Sequence, residues 1–269
     1  MFEAKTQQDR ANQIERVADM LIRPEQNKPP ISHIRNVEIV LTMDPFYRYR
    51  VRWDDFRATL SFEGRPMRDK DLTAIKLQLY TTYNLKTSTR DLAEVVQLVA
   101  EKNPIHPVRG YLTALKWDGT PRIDGVLATY AGAEDTEITR ILGRRWMISA
   151  VARIMRPGCK VDTVLILAGP QGYGKSTFFK TLAGAEWFRD DALDIRNKDA
   201  AMQIRGAWLY ELAELASTRT RDSDSVKAFM SRSTDNYRPP YARFVVTEPR
   251  QSVFCGTTNE PSFLNDSTG

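Results

Sequence analysis

The sequence predicts an α/β fold, because a buried strand, a glycine-containing loop and a helix follow one another in its second half. Residues 161–168 form a β-branched and aliphatic run that is typical of a buried parallel strand. The loop occupies residues 169–176, and residues 177–183 then have a helical pattern that ends at Gly184. Strand, loop and helix in this order predict one unit of a parallel sheet.

The loop fits the pattern G-x-x-x-x-G-K-[ST] at every fixed position, which predicts a phosphate-binding P-loop. Its glycines allow backbone N–H groups to turn towards phosphates, and the N-terminus of the following helix adds partial positive charge. We expect Lys175 to reach the β- and γ-phosphates of ATP, and the Ser176 hydroxyl to bind Mg²⁺. The residues predicted to contact the nucleotide are Gly169, Gln171, Gly172, Tyr173, Gly174, Lys175, Ser176 and Thr177.

The acidic side chains that a P-loop ATPase needs at a neighbouring strand follow a second apolar strand, residues 207–211. This strand ends in Glu211, which we assign to the metal ion, and Glu214 follows three residues later. Whether Glu211 or Glu214 orients the attacking water stays open. A further strand, residues 252–256, leads to Asn259, whose amide is predicted to touch the γ-phosphate or to position the water. A plain turn is the alternative for that segment.

The composition is ordinary for a globular protein in water. The chain has 269 residues, of which 42% are hydrophobic and 27% charged, and its formal net charge is +5. It begins with no signal peptide, and no apolar run approaches the roughly 18 residues that a membrane span needs. Cys159 and Cys255 are too few for a disulfide framework, and His33 and His106 form no metal-ligand cluster. We therefore expect a cytoplasmic protein with no membrane partner, and the positive charge mildly favours an acidic partner.

Breaks that contain proline divide the chain into three parts. Residues 4–22 have the spacing of an amphipathic helix, and the stretch at 26–30 is a linker. A second break at residues 103–107 marks a domain boundary. The predicted parts are an N-terminal helix with its linker (1–27), a small α+β module (28–105) and the nucleotide-binding domain (106–269).

The small module is predicted to contain a β-hairpin followed by two helices. Residues 47–53 alternate apolar side chains with arginines, and residues 56–62 alternate again. The helices are predicted at residues 69–80, with Tyr80 on the buried side, and at residues 88–102. The arginines that share one face of the first strand are Arg48, Arg50 and Arg52. They either track a phosphate backbone or keep an exposed edge soluble.

A long helix is predicted at residues 137–155, before the P-loop strand. Its core side is predicted to carry Ile138, Ile141, Leu142, Trp146, Ser149, Ala152 and Met155. The basic side chains of this region are Arg140, Arg144, Arg145, Arg153, Arg156 and Lys160. They either face nucleic acid or an acidic surface of a neighbouring subunit, or they form a solvated helix face.

Several longer motifs carry a resemblance to a known family. They lie at residues 106–109, 111–112, 115–119, 157–162, 169–177, 211–215, 227–229, 235–238, 240–241 and 254–259. On these motifs the chain resembles the virulence-associated E proteins of phages, plasmids and pathogenicity islands, which are P-loop ATPases related to superfamily 3 replicative helicases. The resemblance spans residues 28–269 and implies a three-layer core like that of AAA+ proteins and superfamily 3 helicases. It also implies that the spacing of Glu211 and Glu214 is the family's own form.

The same resemblance implies a β-hairpin at residues 226–250, between the acid strand and the last strand. In superfamily 3 helicases this hairpin projects into the channel of a hexamer and grips single-stranded DNA. Basic side chains, here also Arg250, beside aromatic ones such as Tyr237 and Phe244 suit phosphate contact and base stacking. The residues predicted to bind nucleic acid are Lys227, Arg232, Arg238, Tyr241 and Arg243. An ordinary basic connection is the alternative.

The function that the resemblance implies is the ATP-dependent DNA helicase or translocase core of a phage, plasmid or genomic-island replication protein, working as a homo-hexamer. Similar proteins continue beyond the position of Gly269 into an arginine pair and a last core strand. We therefore expect a C-terminally incomplete ATPase domain that lacks its arginine finger. Two alternatives stay open: a P-loop small-molecule kinase, and a nucleotide-gated DNA-binding or assembly module with little turnover.

Overall fold

The chain forms two compact units, Met1–His106 and Pro107–Gly269. The computed structural model describes residues 7–195, 197, 199–213, 223–239 and 243–259. Each unit has a sheet of its own among these residues, and each is described by itself.

The first unit combines helices with a small mixed sheet. Its helices are α1 (Gln7–Asp19), α2 (Ile34–Met43), α3 (Pro45–Arg48), α4 (Asp69–Tyr83) and α5 (Thr89–Glu101). Its strands are β1 (Val51–Asp54), β2 (Thr59–Phe62), β3 (Arg65–Pro66) and β4 (Pro104–Ile105). Among the described residues the strands lie in the order β3-β2-β1-β4, with β1 antiparallel to β2 and parallel to β4.

Helix α5 supplies much of the core of this unit. The helix starts after Ser88, whose hydroxyl accepts a hydrogen bond from the N–H of Asp91, as its sequence predicts. The side chains that α5 buries are Leu92, Val95, Val96, Val99 and Ala100. Burial of one aliphatic side chain of this size contributes about 1.5–3 kcal/mol to folding. The predicted buried face of this helix is therefore confirmed.

Helix α4 was predicted to end at Tyr80, but it continues to Tyr83. Tyr80, which we expected inside, is 49% exposed, whereas Tyr83 is buried and its hydroxyl donates to Asp44 Oδ2 at 2.7 Å. Asn84 then ends the helix in the left-handed conformation, and its N–H donates to the carbonyls of Leu79 and Tyr80. The buried position thus lies three residues further along the helix than the predicted one.

The strand predicted at residues 47–53 is wrong over its first half. Asp44 accepts a hydrogen bond from the N–H of Phe46, and Pro45 occupies the first turn, so a helix forms there instead. The strand begins only at Val51, although its antiparallel pairing with β2 is as expected. The three arginines consequently share no strand face, since Arg48 lies on α3.

The second unit is built around a parallel sheet. Its described helices are α6 (Pro107–Ala114), α7 (Val126–Ala131), α8 (Glu137–Met155), α9 (Lys175–Ala183), α10 (Ala200–Gln203) and α11 (Ser223–Met230). Its described strands are β5 (Leu165–Ala168), β6 (Phe188–Arg189), β7 (Leu209–Ala213), β8 (Thr234–Tyr237), β9 (Val246–Pro249) and β10 (Val253–Thr258). The order β5-β10-β7-β6 is parallel throughout, and β8 pairs with β9 antiparallel. The predicted α/β class with a parallel sheet is confirmed.

Two tryptophans attach α8 to this sheet. Trp146 Nε1 donates to the carbonyl of Phe254 at 3.1 Å, and its ring meets Phe179 of α9 edge-on. Trp208 Nε1 donates to the carbonyl of Ala150 at 2.9 Å. Both indole N–H groups are buried with these partners, so α8 has a fixed position against β10, which leads to Asn259, and against the start of β7, which carries Glu211.

Helix α8 has the predicted bounds and buries Trp146 as predicted, but most of its other predicted core residues are not buried. Ile138 and Leu142, which we expected inside, are 69% and 52% exposed, and Met155 is exposed as well. The residues that α8 buries are Gly143, Trp146, Ala150, Arg153 and Ile154. A Cβ atom at Gly143 would lie 2.9 Å from the Leu127 side chain, so the helix approaches α7 too closely for a larger residue. Close packing against α7 thus accounts for the buried glycine, which the hydrophobic pattern did not predict.

The P-loop strand is shorter and more exposed than predicted. Of residues 161–168, only Leu165–Ala168 belong to β5, and these four residues are half-buried or exposed. The reason is that β5 has a strand partner on one side only, β10, within the described residues. No helix in the described part of the chain has the length and apolarity to cross a bilayer.

Candidate functional site

The P-loop lies at the edge of the sheet where the parallel strands end. It connects β5 to α9, and the carboxyl ends of β7 and β10 meet at the same edge. Gly172 and Gly174 have φ values of 86° and 74°, a left-handed backbone that strains other residues. Because α9 begins at Lys175, the free N–H groups of its first turn lie at the end of the loop.

Lys175 contacts both the loop and the end of β10. Its Nζ donates to the carbonyls of Gly169 at 2.6 Å and Pro170 at 2.8 Å, and to Asn259 Oδ1 at 2.9 Å. An ammonium group has three protons, so all of them have a partner in this arrangement. Lys175 and Asn259, which are 84 positions apart in the sequence, are therefore neighbours at this site.

Glu211 is the acidic group of the site, and its side chain is 1% exposed. Its Oε1 accepts hydrogen bonds from Ser176 Oγ at 2.7 Å and from Thr257 Oγ1 at 2.6 Å. Its Oε2 is buried without a hydrogen-bond partner among the described residues. Burying a carboxylate oxygen without a donor or a cation raises the free energy of the folded state. Oε2 of Glu211 can therefore accept one more ligand.

We expected β7, the strand that carries Glu211, to lie directly beside the P-loop strand β5. Instead, β10 lies between them. In this order Cys255 pairs with Glu211 in register. Burial raises the pKa of the Cys255 thiol, and the nearby Glu211 carboxylate raises it further. The thiol is thus a neutral packing neighbour of Glu211 and not a second charge.

A separate antiparallel hairpin, β8 and β9, precedes β10. It lies in the region where the resemblance implies a DNA-gripping hairpin. Of the predicted nucleic-acid contacts, Lys227, Arg232, Arg238 and Arg243 are exposed, whereas Tyr241 lies outside the described residues. Phe244, beside Arg243, is 79% exposed.

Comparison with known families supports the resemblance. The model of the virulence-associated protein E-like domain matches residues 112–269, which is more than half of the chain. The chain belongs to the virulence-associated protein E-like family. The match includes the P-loop, the acid strand and the hairpin, and no curated protein matches the chain.

The structure brings some of the predicted site residues together and leaves others apart. Lys175, Ser176, Glu211 and Asn259 are brought together by the contacts above. Glu214 lies outside the described residues, so the choice between it and Glu211 for the attacking water stays open. The remaining loop side chains predicted to contact nucleotide, Gln171, Tyr173 and Thr177, are exposed.

Two residues of the hairpin region are buried and unavailable to DNA, contrary to our prediction. Tyr237 is 5% exposed and has the guanidinium of Arg205 over its ring. Arg250 is 2% exposed, and its Nε donates to Asp235 Oδ2 at 2.8 Å. Its guanidinium also lies 4.6 Å from the centre of the Phe229 ring. Both side chains belong to the core of this family domain.

The basic cluster of α8 is also not one surface. Arg153 is 1% exposed and donates to the carbonyl of Arg232 at 3.2 Å. Burial lowers the pKa of Arg153, and the neighbouring charge of Arg250 lowers it further. Arg144 instead pairs with Asp124 at 2.5 Å. Arg140 and Lys160 pair with Asp135 and Asp162 in the same way, whereas Arg145 and Arg156 are exposed, so the six side chains do not act as one basic face.

Thr257 is the site residue that sequence reasoning missed. Its hydroxyl contacts Glu211, whereas the sequence drew attention to Asn259 alone on this strand. The usable signal was the spacing, because alternate residues of a strand lie on one face and Thr257 is two positions before Asn259. The two side chains follow the same strand but contact different groups of the site, since Thr257 contacts Glu211 and Asn259 contacts Lys175.

Proposed function

We propose that the second unit is a P-loop ATPase domain that uses ATP and Mg²⁺ and forms the core of a DNA helicase or translocase of a phage, plasmid or genomic island. The observation that carries the proposal is the convergence of Lys175, Ser176, Glu211 and Asn259 at one sheet edge. They come from a loop, a helix start and the ends of two strands. Their functional groups are those that phosphoryl transfer to water uses.

The loop provides the phosphate site in this proposal. The N–H groups at the start of α9 and the loop backbone donate to phosphate oxygens, and the helix dipole favours the negative charge. Lys175 exchanges its three protein acceptors for oxygens of the β- and γ-phosphates. Asn259, released from Lys175, then faces the γ-phosphate or the attacking water with its amide.

The metal site in this proposal consists of Ser176 and Glu211. A hydroxyl and a carboxylate are oxygen ligands of the kind that Mg²⁺ prefers, and the buried Oε2 of Glu211 lacks a partner among the described residues. Ser176 and Glu211 would hold Mg²⁺ there, and the ion would offset the negative charge of the phosphates. Glu211 holds its position through Ser176 and Thr257, and Glu211 or Glu214 orients the water.

The hairpin provides the DNA contact in this proposal. Exposed arginines and the exposed Phe244 ring suit a single strand, whose phosphates need cations and whose bases stack on aromatic rings. The hairpin leads directly into β10, the strand that ends beside Lys175. We propose that a homo-hexamer in the cytoplasm uses this connection to move single-stranded DNA.

The deciding experiment is ATP hydrolysis by this chain with and without single-stranded DNA. We expect turnover that single-stranded DNA increases, and Lys175→Ala is expected to lower it by about 10²-fold or more. The matched control is Lys180→Ala, an exposed lysine on the same helix. DNA binding without turnover would favour a nucleotide-gated binding module, and turnover that needs a small hydroxyl compound and ignores DNA would favour a kinase.

A further inference from the structure

The carboxylate of Glu211 receives two hydroxyl donors on the same oxygen. Ser176 comes from the P-loop side and Thr257 from β10, at 2.7 Å and 2.6 Å from Oε1. We propose that Thr257 is a positioning residue, which fixes the rotation of the Glu211 carboxylate so that Oε2 stays directed to the metal ion or its water. This inference rests on the proposed ATPase function.

The two donors differ in how firmly they are held. Ser176 lies in the first turn of α9 and is itself a proposed metal ligand, so its hydroxyl has a second task. Thr257 lies on β10, which has strand partners on both sides, β5 and β7. The terminal torsion of a glutamate has a broad energy profile, so the carboxylate rotates easily unless a fixed donor holds one oxygen. Thr257 is that donor.

The side chains two positions before and two positions after Thr257 do not replace it. Cys255 pairs in register with Glu211, but its thiol is directed to the carbonyl of Tyr210 at 3.7 Å. Thiols are also weak donors. Asn259 directs its Oδ1 to Lys175, at the other end of the site. Among the contacts described for these three side chains, only the Thr257 hydroxyl reaches the carboxylate.

The test compares Thr257→Val, which removes the hydroxyl and keeps the shape, with Thr257→Ser, which keeps a hydroxyl. Thr181→Val on the exposed side of α9 is the matched control for the residue change. Thr257→Val is expected to lower kcat about 10- to 100-fold, the usual cost of losing a partner of a metal ligand, with KM changed less than about threefold. Thr257→Ser should restore most of the lost kcat.

Nucleotide binding is measured beside turnover, by titration with a fluorescent ATP analogue in Mg²⁺ and in EDTA. We expect Thr257→Val to bind the analogue in EDTA like the unaltered chain. Equal kcat in Thr257→Val and the unaltered chain, or a Thr257→Ser protein as slow as Thr257→Val, would overturn the inference. So would loss of analogue binding together with a lower melting temperature, which would make Thr257 purely structural. An unaltered chain that neither binds nor hydrolyses ATP would instead overturn the proposed function, and the inference with it.

Discussion

Glu211 shows how one side chain connects three elements of the second unit. It belongs to β7, it accepts from Ser176 at the start of α9, and it accepts from Thr257 on β10. A charge at a buried position needs hydrogen bonds or a cation to offset its desolvation. Two hydroxyls donate to Oε1 of Glu211, whereas Oε2 has no hydrogen-bond partner among the described residues.

Glu211→Gln is therefore expected to reduce ATP turnover while the fold persists. The amide oxygen of glutamine can still accept from Ser176 and Thr257, but the charge that in the proposed function holds a metal ion or activates water is gone. We expect kcat to fall by about 10²-fold or more and nucleotide affinity to change little. Turnover and binding of a fluorescent ATP analogue check this.

Glu214→Gln is the matched comparison for that change, because it removes the same charge three residues away. A damaging Glu214→Gln together with a silent Glu211→Gln would reverse the assignment of the two acids. Comparable losses in both variants would mean that the metal ion and the water are held by different glutamates.

A buried ion pair joins the two strands at the base of the hairpin, and hydrogen bonds to α11 and from α8 attach this base to the rest of the second unit. Arg250, which follows β9, pairs with Asp235 on β8 and donates to the carbonyl of Phe229. Arg153 from α8 donates to the carbonyl of Arg232 just before β8. The hairpin base is thus part of the core, whereas Arg243 and Phe244 near the start of β9 are exposed.

Asp235→Asn is expected to destabilise the second unit strongly, because it leaves the charge of Arg250 buried without its partner. Loss of one member of a buried pair costs about 3–5 kcal/mol. The double variant Asp235→Leu with Arg250→Met should be less destabilised than Asp235→Asn. Arg243→Ala, at an exposed position, is the control and should change the free energy of unfolding by less than about 0.5 kcal/mol. Urea unfolding gives the free energy of unfolding of all three variants. An Asp235→Asn protein as stable as the unaltered chain would contradict the expectation.

The exposed basic residues of the hairpin region lead to a prediction about how the affinity for single-stranded DNA depends on salt concentration. If Lys227, Arg238 and Arg243 contact phosphates, replacing each by alanine should reduce the magnitude of the log affinity–log salt slope for single-stranded DNA by about 0.7. Fluorescence anisotropy with one labelled oligonucleotide at several salt concentrations gives the slopes. The alanine variant of Arg48, Arg50 and Arg52 is the control and should change the slope less. An unchanged slope in the hairpin variant would assign this region to an ordinary basic connection.

At the scale of the whole molecule, the division into two units leads to a prediction about which backbone amides ATP protects from hydrogen exchange. The residues of the proposed nucleotide site lie in Pro107–Gly269, and Met1–His106 has a core of its own. A ligand stabilises the part of a protein that must unfold to release it, by about 2.7 kcal/mol at a concentration 100 times its Kd. Hydrogen exchange with saturating ATP and Mg²⁺ should therefore slow at core amides of the second unit only. Equal slowing in both units would show that they unfold together.

The sequence was sufficient for features that depend on neighbours along the chain. Periodicity and a capping serine are local, and they correctly predicted α5 and the bounds of α8. The P-loop pattern predicted the strand, loop and helix around Lys175, because glycine conformations and a helix start are also local. The family followed from the same short motifs.

The tertiary structure alone decided which side chains are buried and which distant groups meet. Arg153, Tyr237 and Arg250 have polar or charged side chains whose burial depends on partners supplied by other elements, so their sequence context suggested a surface. The hydroxyl of Thr257 reaches Glu211 across 46 positions of sequence only because β10 pairs with β7. Local pattern determines an element, but the free energy of burying a charge or a hydroxyl depends on what the fold places opposite it.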